Sequence, residues 1–185
     1  YVRQQQPAGL GHAVWCARHL VGSEPVAVLL ADDLILGASC VKEMVDAYKG
    51  GNMVAVMDVP HEQTGSYGIV TPGADDGRIV QVEGLVEKPD PSSAPSNIAV
   101  VGRYIITPEV FETLAAQERG AGGEIQLTDA LAKQIGKAPF SGVRFSGERF
   151  DCGSKLGFLQ ANVAFGLNND AMRDQLRDWL GERLG

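Results

Sequence analysis

The order helix, strand, helix, strand in the first sixty residues constrains the fold of this chain more than any other feature of its sequence. Residues 10–21 have helical character, and "PVAVLLADD" follows as an unbroken apolar run that ends in two acids. Residues 38–48 carry apolar side chains at helical spacing and stop at two glycines, after which "MVAVMDV" returns to strand character. Unbroken apolar runs indicate buried strands. The alternation therefore predicts a layered α/β domain with a largely parallel sheet.

The middle of the chain changes to runs that favour antiparallel pairing. "YGIVTPGADDGRIVQVEGLVEKP" contains two strand-like runs around a turn rich in glycine and aspartate, which predicts a hairpin beside the main sheet. The final helix, expected over 170–185, has an apolar stripe that would be buried against its own domain or a partner subunit, and we expect it to pack against the core. A length of 185 residues suits a single domain over 1–185.

Composition and charge exclude several classes of function. The formal net charge is −7 and the basic residues form no cluster, which argues against a nucleic-acid surface. No apolar run approaches the length of a membrane span. The three cysteines, Cys16, Cys40 and Cys152, lie far apart without a C-x-x-C spacing. We therefore expect neither a zinc site nor a disulfide framework, and a cytoplasmic location.

Acidic residues follow two of the predicted strands. Asp32 and Asp33 end the apolar run "PVAVLLADD", at the edge where open α/β sheets bind ligands, and Asp151 lies between a short strand and a helix. With a phosphate substrate, such carboxylates could hold a magnesium ion. Aspartate is equally favoured in turns and at helix N-caps, so both interpretations stay open at this point.

The opening of the first helix is rich in glycine. Gly9 and Gly11 in "PAGLGHAV" would let backbone N–H groups approach a base or a phosphate closely. The segment is neither a Walker loop nor a dinucleotide fingerprint, because it lacks the Gly-Lys-Ser/Thr sequence and a preceding strand. His12 is interpreted as a packed helix residue rather than a catalyst.

An acid and a base end another apolar strand, just before a proline. Glu87 and Lys88 form either a solvated strand end or a charged pair that meets a ligand. Consecutive strand residues point to opposite faces, so both could serve one ligand only if the strand bends. Because proline removes a ladder donor and restricts the residue before it, we predict a bulge or bend near Pro89, where strand pairing ends.

Six segments together resemble the bacterial UTP-glucose-1-phosphate uridylyltransferase family, over nearly the whole chain. They are "VRQ…GLGHAV", "LLADDLIL", "SYGIV", "VEKP…APSNIAVVGRYI", "GAGGEIQLTDAL" and "FDCGSKLGFLQA". The resemblance implies a Rossmann-like nucleotidyltransferase fold of class α/β, layered, with a mixed, mainly parallel sheet. It also implies UTP, glucose 1-phosphate and UDP-glucose as ligands, Mg²⁺ as cofactor, and a homo-oligomer.

The resemblance assigns roles on both sides of the expected reaction. Gln4 would read uracil with its amide, and Gly9 would let the backbone approach the base. Asp32 and Asp151 would be the magnesium ligands, and Asp32 is counted with Lys88 as catalytic.

On the sugar side, Gly68 and Glu87 would contact the sugar, and Lys88 would meet its phosphate as a compact positive charge. Glu124 is a further candidate for this group.

The sequence departs from the family pattern at its start. The family's G-x-G-T-R loop and following lysine, which bind the triphosphate, are not in these 185 residues. We therefore expect the N-terminal part of the fold to be missing and this chain alone to be an incomplete catalyst. Two alternatives stay open: a sugar-nucleotide-binding or assembly module without activity, and a thymidylyltransferase for glucose 1-phosphate.

Overall fold

The structure is a computed structural model that describes residues 1–185. The chain divides into two compact units, the first made of residues 1–29 and 41–145 and the second of residues 30–40 and 146–185. The expectation of a single domain over 1–185 stays a prediction.

Both kinds of secondary structure occur throughout the chain. The strands are β1 (Val26–Leu29), β2 (Asp33–Leu36), β3 (Asn52–Asp58), β4 (Gly68–Asp75), β5 (Ile79–Glu87), β6 (Ile98–Ile106), β7 (Phe140–Arg144) and β8 (Glu148–Asp151). The α-helices are α1 (Leu10–Cys16), α2 (Cys40–Ala47), α3 (Pro108–Leu114), α4 (Leu127–Ala132), α5 (Lys155–Leu167) and α6 (Arg173–Leu184). None of these helices is long and apolar enough to cross a membrane.

The first unit is built on a six-stranded mixed sheet in the order β1-β6-β3-β7-β5-β4. The predicted mixed α/β architecture is confirmed, but the expectation of mainly parallel pairing is wrong. Only β3 and β7 pair in parallel, and the other neighbours pair antiparallel. The reason is long-range: β6 runs between β1 and β3 in the opposite direction, so β1 and β3 are not neighbours and each pairs antiparallel with β6.

The predicted hairpin is confirmed as β4 and β5, which pair antiparallel from Gly68 opposite Glu87 to Asp75 opposite Val80. Its turn is closed by aspartate side chains, since Asp75 Oδ1 accepts from the N–H of Gly77 at 2.9 Å and Asp76 Oδ1 accepts from that of Ile79 at 2.6 Å. These hydrogen bonds stabilise the charged carboxylates and lower the pKa of Asp76. The register of the hairpin shifts between Thr71 and Pro72 and again between Pro72 and Asp75, and from Thr71 to Gly68 the pairing continues without a shift to Glu87.

The core of the first unit lies on the central strands. Val54 and Ala55 of β3, Val80 of β5 and Val143 of β7 are fully enclosed. Short helices then cover the sheet, and α1, α3 and α4 pack on one another. This rigid core carries the loops and strand ends that hold most of the candidate site residues.

The second unit contains a two-stranded antiparallel sheet of β2 and β8, on which α5 packs. Ser154 is the N-cap of helix α5, and its hydroxyl accepts from the N–H of Gly157 at 3.0 Å. The expectation that the apolar stripe of the last helix packs in the core is wrong, because α6 has no buried residue. It also begins at Arg173 rather than at 170.

Gly50 and Gly51 lie just before β3, and Gly51 packs against Pro139, which precedes β7, the parallel partner of β3. Both have positive φ, 99° at Gly50 and 76° at Gly51, but only at Gly51 would a Cβ meet another residue, 2.0 Å from the Pro139 carbonyl oxygen. The left-handed backbone costs each alanine variant about 1–3 kcal/mol. We expect Gly51→Ala to lose a further ~1–3 kcal/mol through the clash. Urea denaturation of both variants measures the difference, and equal losses would show that the contact with Pro139 is not required.

Candidate functional site

The end of β5 brings an acid and a base to the same side of the chain. Strand β5 ends at Glu87, and Lys88 has a φ of 46°, in the left-handed region that non-glycine residues rarely adopt. The Lys88 N–H donates to the carbonyl of Tyr67 at 2.9 Å, and its Nζ lies 4.0 Å from Glu87 Oε1. The predicted bend at the end of the strand is confirmed. It supplies the geometry by which both side chains could meet one ligand.

A capped turn holds this bend in place. Pro89 is buried, and the Asp90 carboxylate accepts from the N–H of Ser92 at 2.9 Å and from its hydroxyl at 2.6 Å. The hydroxyl and the N–H of Ser92 lower the pKa of Asp90, so the carboxylate keeps its charge and its hydrogen bonds below the usual range. The backbone that follows Lys88 is therefore anchored.

Gly68 lies directly opposite Glu87 in the hairpin and is buried. A Cβ at Gly68 would lie 3.2 Å from Glu87 Oε2 and 3.3 Å from the hydroxyl oxygen of Thr128. The absence of a side chain thus leaves room for the Glu87 carboxylate. Thr128 is not among the residues predicted from the sequence, because helical periodicity gave no signal that it would lie beside Gly68.

The N-terminal loop is tied to the segment before α4. Gly9 has a φ of 108°, and a Cβ there would lie 2.7 Å from the carbonyl oxygen of Ile125. The Ile125 N–H donates to the carbonyl of Ala8 and its carbonyl accepts from the N–H of Gly11, each at 2.8 Å. Gly9 is therefore required by the backbone and by this close packing.

Gln4 and Glu124 both lie beside this loop. The Gln4 amide nitrogen lies 3.1 Å from the Gly9 carbonyl oxygen and 2.9 Å from His12 Nδ1. Glu124 is exposed, and its Cβ would be 2.8 Å from a Cβ at Gly9. The Glu124 carboxylate accepts from the amide of Gln126 at 3.2 Å. The structure thus brings Glu124 together with Gly9, one of the residues expected to face the nucleobase.

The second unit brings its two predicted metal ligands together. Asp32 immediately precedes β2 and Asp151 ends β8, and the N–H of Cys152 donates to the Asp32 carbonyl at 2.7 Å. A Cβ at Gly153 would lie 3.0 Å from Asp151 Oδ1 and 3.5 Å from Asp32 Oδ2. Both carboxylates therefore face one small space that the missing side chain leaves open.

The neighbouring acid, Asp33, has a different surrounding. It is only 5% exposed, and its carboxylate accepts from Nε of Arg149. A buried carboxylate held by a guanidinium serves the packing of the second unit. Asp32, in the turn before β2, is exposed, whereas the ion pair with Arg149 removes Asp33 from the candidate metal ligands.

The donor set suits a hard cation. No cluster of three or more histidine, cysteine, aspartate or glutamate side chains that could hold a metal occurs in the chain. Mg²⁺ commonly takes only one or two carboxylates from a protein, with phosphate oxygens and water completing six positions. The exposed pair of Asp32 and Asp151 fits that requirement.

A cavity of about 380 Å³ in the first unit lies apart from these residues. Its lining includes Glu118, Asp129 and Lys133, and it contains none of the predicted site residues. Burial raises the pKa of Asp129, with Lys133 partly offsetting the effect. The cavity therefore adds no group to the two sites described above.

The chain is similar to known proteins over most of its length. The family described as "Nucleotidyl transferase" matches residues 1–166. A UTP--glucose-1-phosphate uridylyltransferase of Komagataeibacter xylinus is 52% identical over 176 residues, which are 94% of this chain and 60% of that protein.

Two solved structures are similar in fold and sequence. A UDP-glucose pyrophosphorylase complexed with UDP-glucose has a TM-score of 0.87 and 40% identity, over 91% of this chain and 66% of that one. A UTP-bound UGPase from Acinetobacter baumannii has a TM-score of 0.88 and 37% identity, over 98% of this chain and 64% of that one. The chain thus spans less than two thirds of the length of the relatives it matches.

The left-handed backbone of Lys88 predicts an unusual order of stability. Glycine escapes the cost of about 1–2 kcal/mol that an L-residue pays there, so Lys88→Gly should unfold with a free energy ~1 kcal/mol higher than Lys88→Ala. Lys42 in α2 is the matched control, because in a helix the glycine variant should instead be about 1 kcal/mol less stable than the alanine variant. Chemical denaturation of the four variants tests this order, and a lower stability for Lys88→Gly would contradict the bend.

Proposed function

The chain belongs to the nucleotidyl transferase family, and we propose that the protein is a UTP-glucose-1-phosphate uridylyltransferase that uses Mg²⁺. The uridylyltransferase of K. xylinus supports the substrates, and the structures with UTP and with UDP-glucose support the nucleotide and the product.

The observation that carries the proposal is the pair of Glu87 and Lys88 beside Gly68. A sugar phosphate presents hydroxyl groups, which a carboxylate can accept from, and a dianionic phosphate, which an ammonium group can neutralise. The 4.0 Å between Lys88 Nζ and Glu87 Oε1 supports both contacts with one ligand. The two side chains also differ in exposure. The Lys88 side chain is half exposed, while the Glu87 side chain is largely enclosed.

The proposed reaction asks more of positioning than of proton transfer. An oxygen of the glucose 1-phosphate forms a new bond to the α-phosphorus of UTP, and the bond between that phosphorus and the bridging oxygen to the β-phosphate breaks. UDP-glucose forms, and pyrophosphate leaves with its charge. Since the attacking phosphate is already ionised, no general base is required, and Lys88 would act by reducing the repulsion between two anions.

On the nucleotide side, Gln4 would hydrogen-bond the uracil ring, and the close packing of Gly9 would keep the adjacent backbone in place for it. Glu124, which the sequence grouped with the sugar-side residues, lies beside Gly9 and would border the nucleotide part of the site. In the second unit, Asp32 and Asp151 would hold Mg²⁺, which when bound supplies positive charge against the phosphate oxygens.

We also propose a cytoplasmic homo-oligomer. The cytoplasmic location is supported by three cysteines, none of which forms a disulfide. Oligomerisation is supported by α5, which packs Gly157 and Ala161 inward and exposes the large apolar residues Leu156, Phe158 and Leu159.

The direct test is pyrophosphate release from UTP and glucose 1-phosphate with Mg²⁺ by the protein as it is made in the cell, rather than by these 185 residues alone, together with UDP-glucose binding measured by calorimetry. We expect Mg²⁺-dependent turnover with UTP, and slower turnover with dTTP. Binding of UDP-glucose without any turnover would favour a binding module instead. Faster turnover with dTTP would favour a thymidylyltransferase.

The metal assignment predicts that Asp32→Asn and Asp151→Asn each lower Mg²⁺-dependent turnover by roughly 100-fold or more, because each removes a charged group that stabilises the reacting phosphates. Asp178→Asn in the exposed helix α6 is the control and should leave turnover unchanged. Turnover at increasing Mg²⁺ concentration measures the effect, with circular dichroism to establish that each variant is folded. An unchanged Mg²⁺ dependence in both variants would refute the assignment.

A further inference from the structure

We propose that His12 is a positioning residue that fixes which atom of the Gln4 amide is left to face the nucleobase, and so favours a base whose ring nitrogen carries a proton. The inference deepens the proposed function and rests on it, since only in that reaction would Gln4 read uracil. The inference follows from the Gly9 carbonyl, which can only accept, and from the donors and acceptors of the Gln4 amide and the His12 ring.

The carbonyl of Gly9 decides the orientation of the Gln4 amide. A backbone carbonyl oxygen can only accept, and the amide nitrogen of Gln4 lies 3.1 Å from it. If the amide were turned round, two acceptor oxygens would face each other. The NH₂ group of Gln4 must therefore point toward Gly9, and one of its two protons is used there.

The second proton of that NH₂ group decides the tautomer of His12. The Gln4 amide nitrogen lies 2.9 Å from His12 Nδ1, and an amide NH₂ group can only donate. His12 Nδ1 must therefore carry the lone pair, and the ring proton must be on Nε2. Nε2 lies 3.8 Å from Cys16 Sγ, a weak acceptor that suits an N–H donor.

The ring of His12 is held in this orientation by its neighbours on α1. It stacks on the ring of Trp15, with centroids 6.1 Å apart and an interplanar angle of 26°. The guanidinium of Arg18 covers Trp15 at 3.5 Å from its ring centroid, which steadies the stack. A fixed ring, on a helix whose N-cap is Gly9, thus accepts the hydrogen bond that Gln4 donates.

Gln4 Oε1 is then the atom of the amide that remains for a ligand. Both amide protons are used within the protein, so this oxygen can only accept from the base. If this oxygen meets ring position 3, uracil offers it an N–H, whereas cytosine has a bare nitrogen there that repels an acceptor. The arrangement therefore favours uridine over cytidine nucleotides, and it treats thymine like uracil because their edges are the same.

The first experiment measures the tautomer directly and needs no ligand. Two-bond ¹H–¹⁵N correlation of ¹⁵N-histidine-labelled protein, at about pH 8 where an ordinary imidazole is neutral, reports which ring nitrogen carries the proton. We expect the proton of His12 on Nε2. A proton on Nδ1 would overturn the inference, whatever the protein's activity.

The second experiment compares UTP and CTP with Mg²⁺, by calorimetry and by the KM for each, in the wild type, His12→Leu and His12→Asn. Losing the hydrogen bond that orients the amide should reduce the preference for UTP over CTP roughly tenfold in His12→Leu, through KM rather than kcat. His12→Asn should keep the preference, because its side-chain oxygen can accept in place of Nδ1.

The outcomes separate the inference from the proposed function. A wild type that binds neither nucleotide would remove the proposed function and the inference with it. A wild type that prefers UTP while His12→Leu keeps the full preference would overturn the positioning role alone. If His12→Leu does not fold, His12→Asn and the tautomer of the wild type test the inference. A loss of the preference for UTP in folded His12→Asn, or a proton on Nδ1 of the wild type, would overturn it.

Discussion

A β-strand sends consecutive side chains to opposite faces, and the candidate sites of this chain depend on how it obeys or escapes that rule. Asp32 lies in the turn just before β2 and is exposed, whereas Asp33, the first residue of β2, is buried against Arg149. At the end of β5 the left-handed conformation of Lys88 breaks the alternation and brings its ammonium group to the Glu87 carboxylate. The adjacent residues Asp32 and Asp33 thus have separate surroundings, whereas the adjacent residues Glu87 and Lys88 are brought together by the backbone.

Missing side chains matter to these sites as much as the side chains that are present. Gly68 leaves room for the carboxylate of Glu87, and Gly153 leaves a space that Asp32 and Asp151 both face. At Gly9 the backbone can turn at a φ of 108° and lie against Ile125. In each case a Cβ would occupy the position that a neighbouring polar group or the chain itself now uses. The backbone conformation at these glycines is therefore part of the chemistry.

The roles of single atoms also follow from fixed backbone groups. The Gly9 carbonyl can only accept, so it sets the direction of the Gln4 amide and, through it, the protonated nitrogen of His12. The sequence alone indicated that His12 packs on a helix, which is correct but incomplete. Its partner lies eight residues earlier in the chain, in a segment without regular structure, and no periodic pattern reports such a contact.

The sequence by itself determined the α/β class, the β4–β5 hairpin and the bend before Pro89, because apolar periodicity, turn residues and proline act over a few neighbours. Family-like motifs also indicated Gln4, Asp32, Glu87, Lys88 and Asp151 as candidates. Only the tertiary structure decided that β6 runs between β1 and β3, that Thr128 lies beside Gly68, and that the carboxylates of Asp32 and Asp151 meet near Gly153 although Asp33 is the ladder partner of Asp151. These features join residues far apart in the chain, and their geometry depends on the packing of whole strands, which no local pattern encodes.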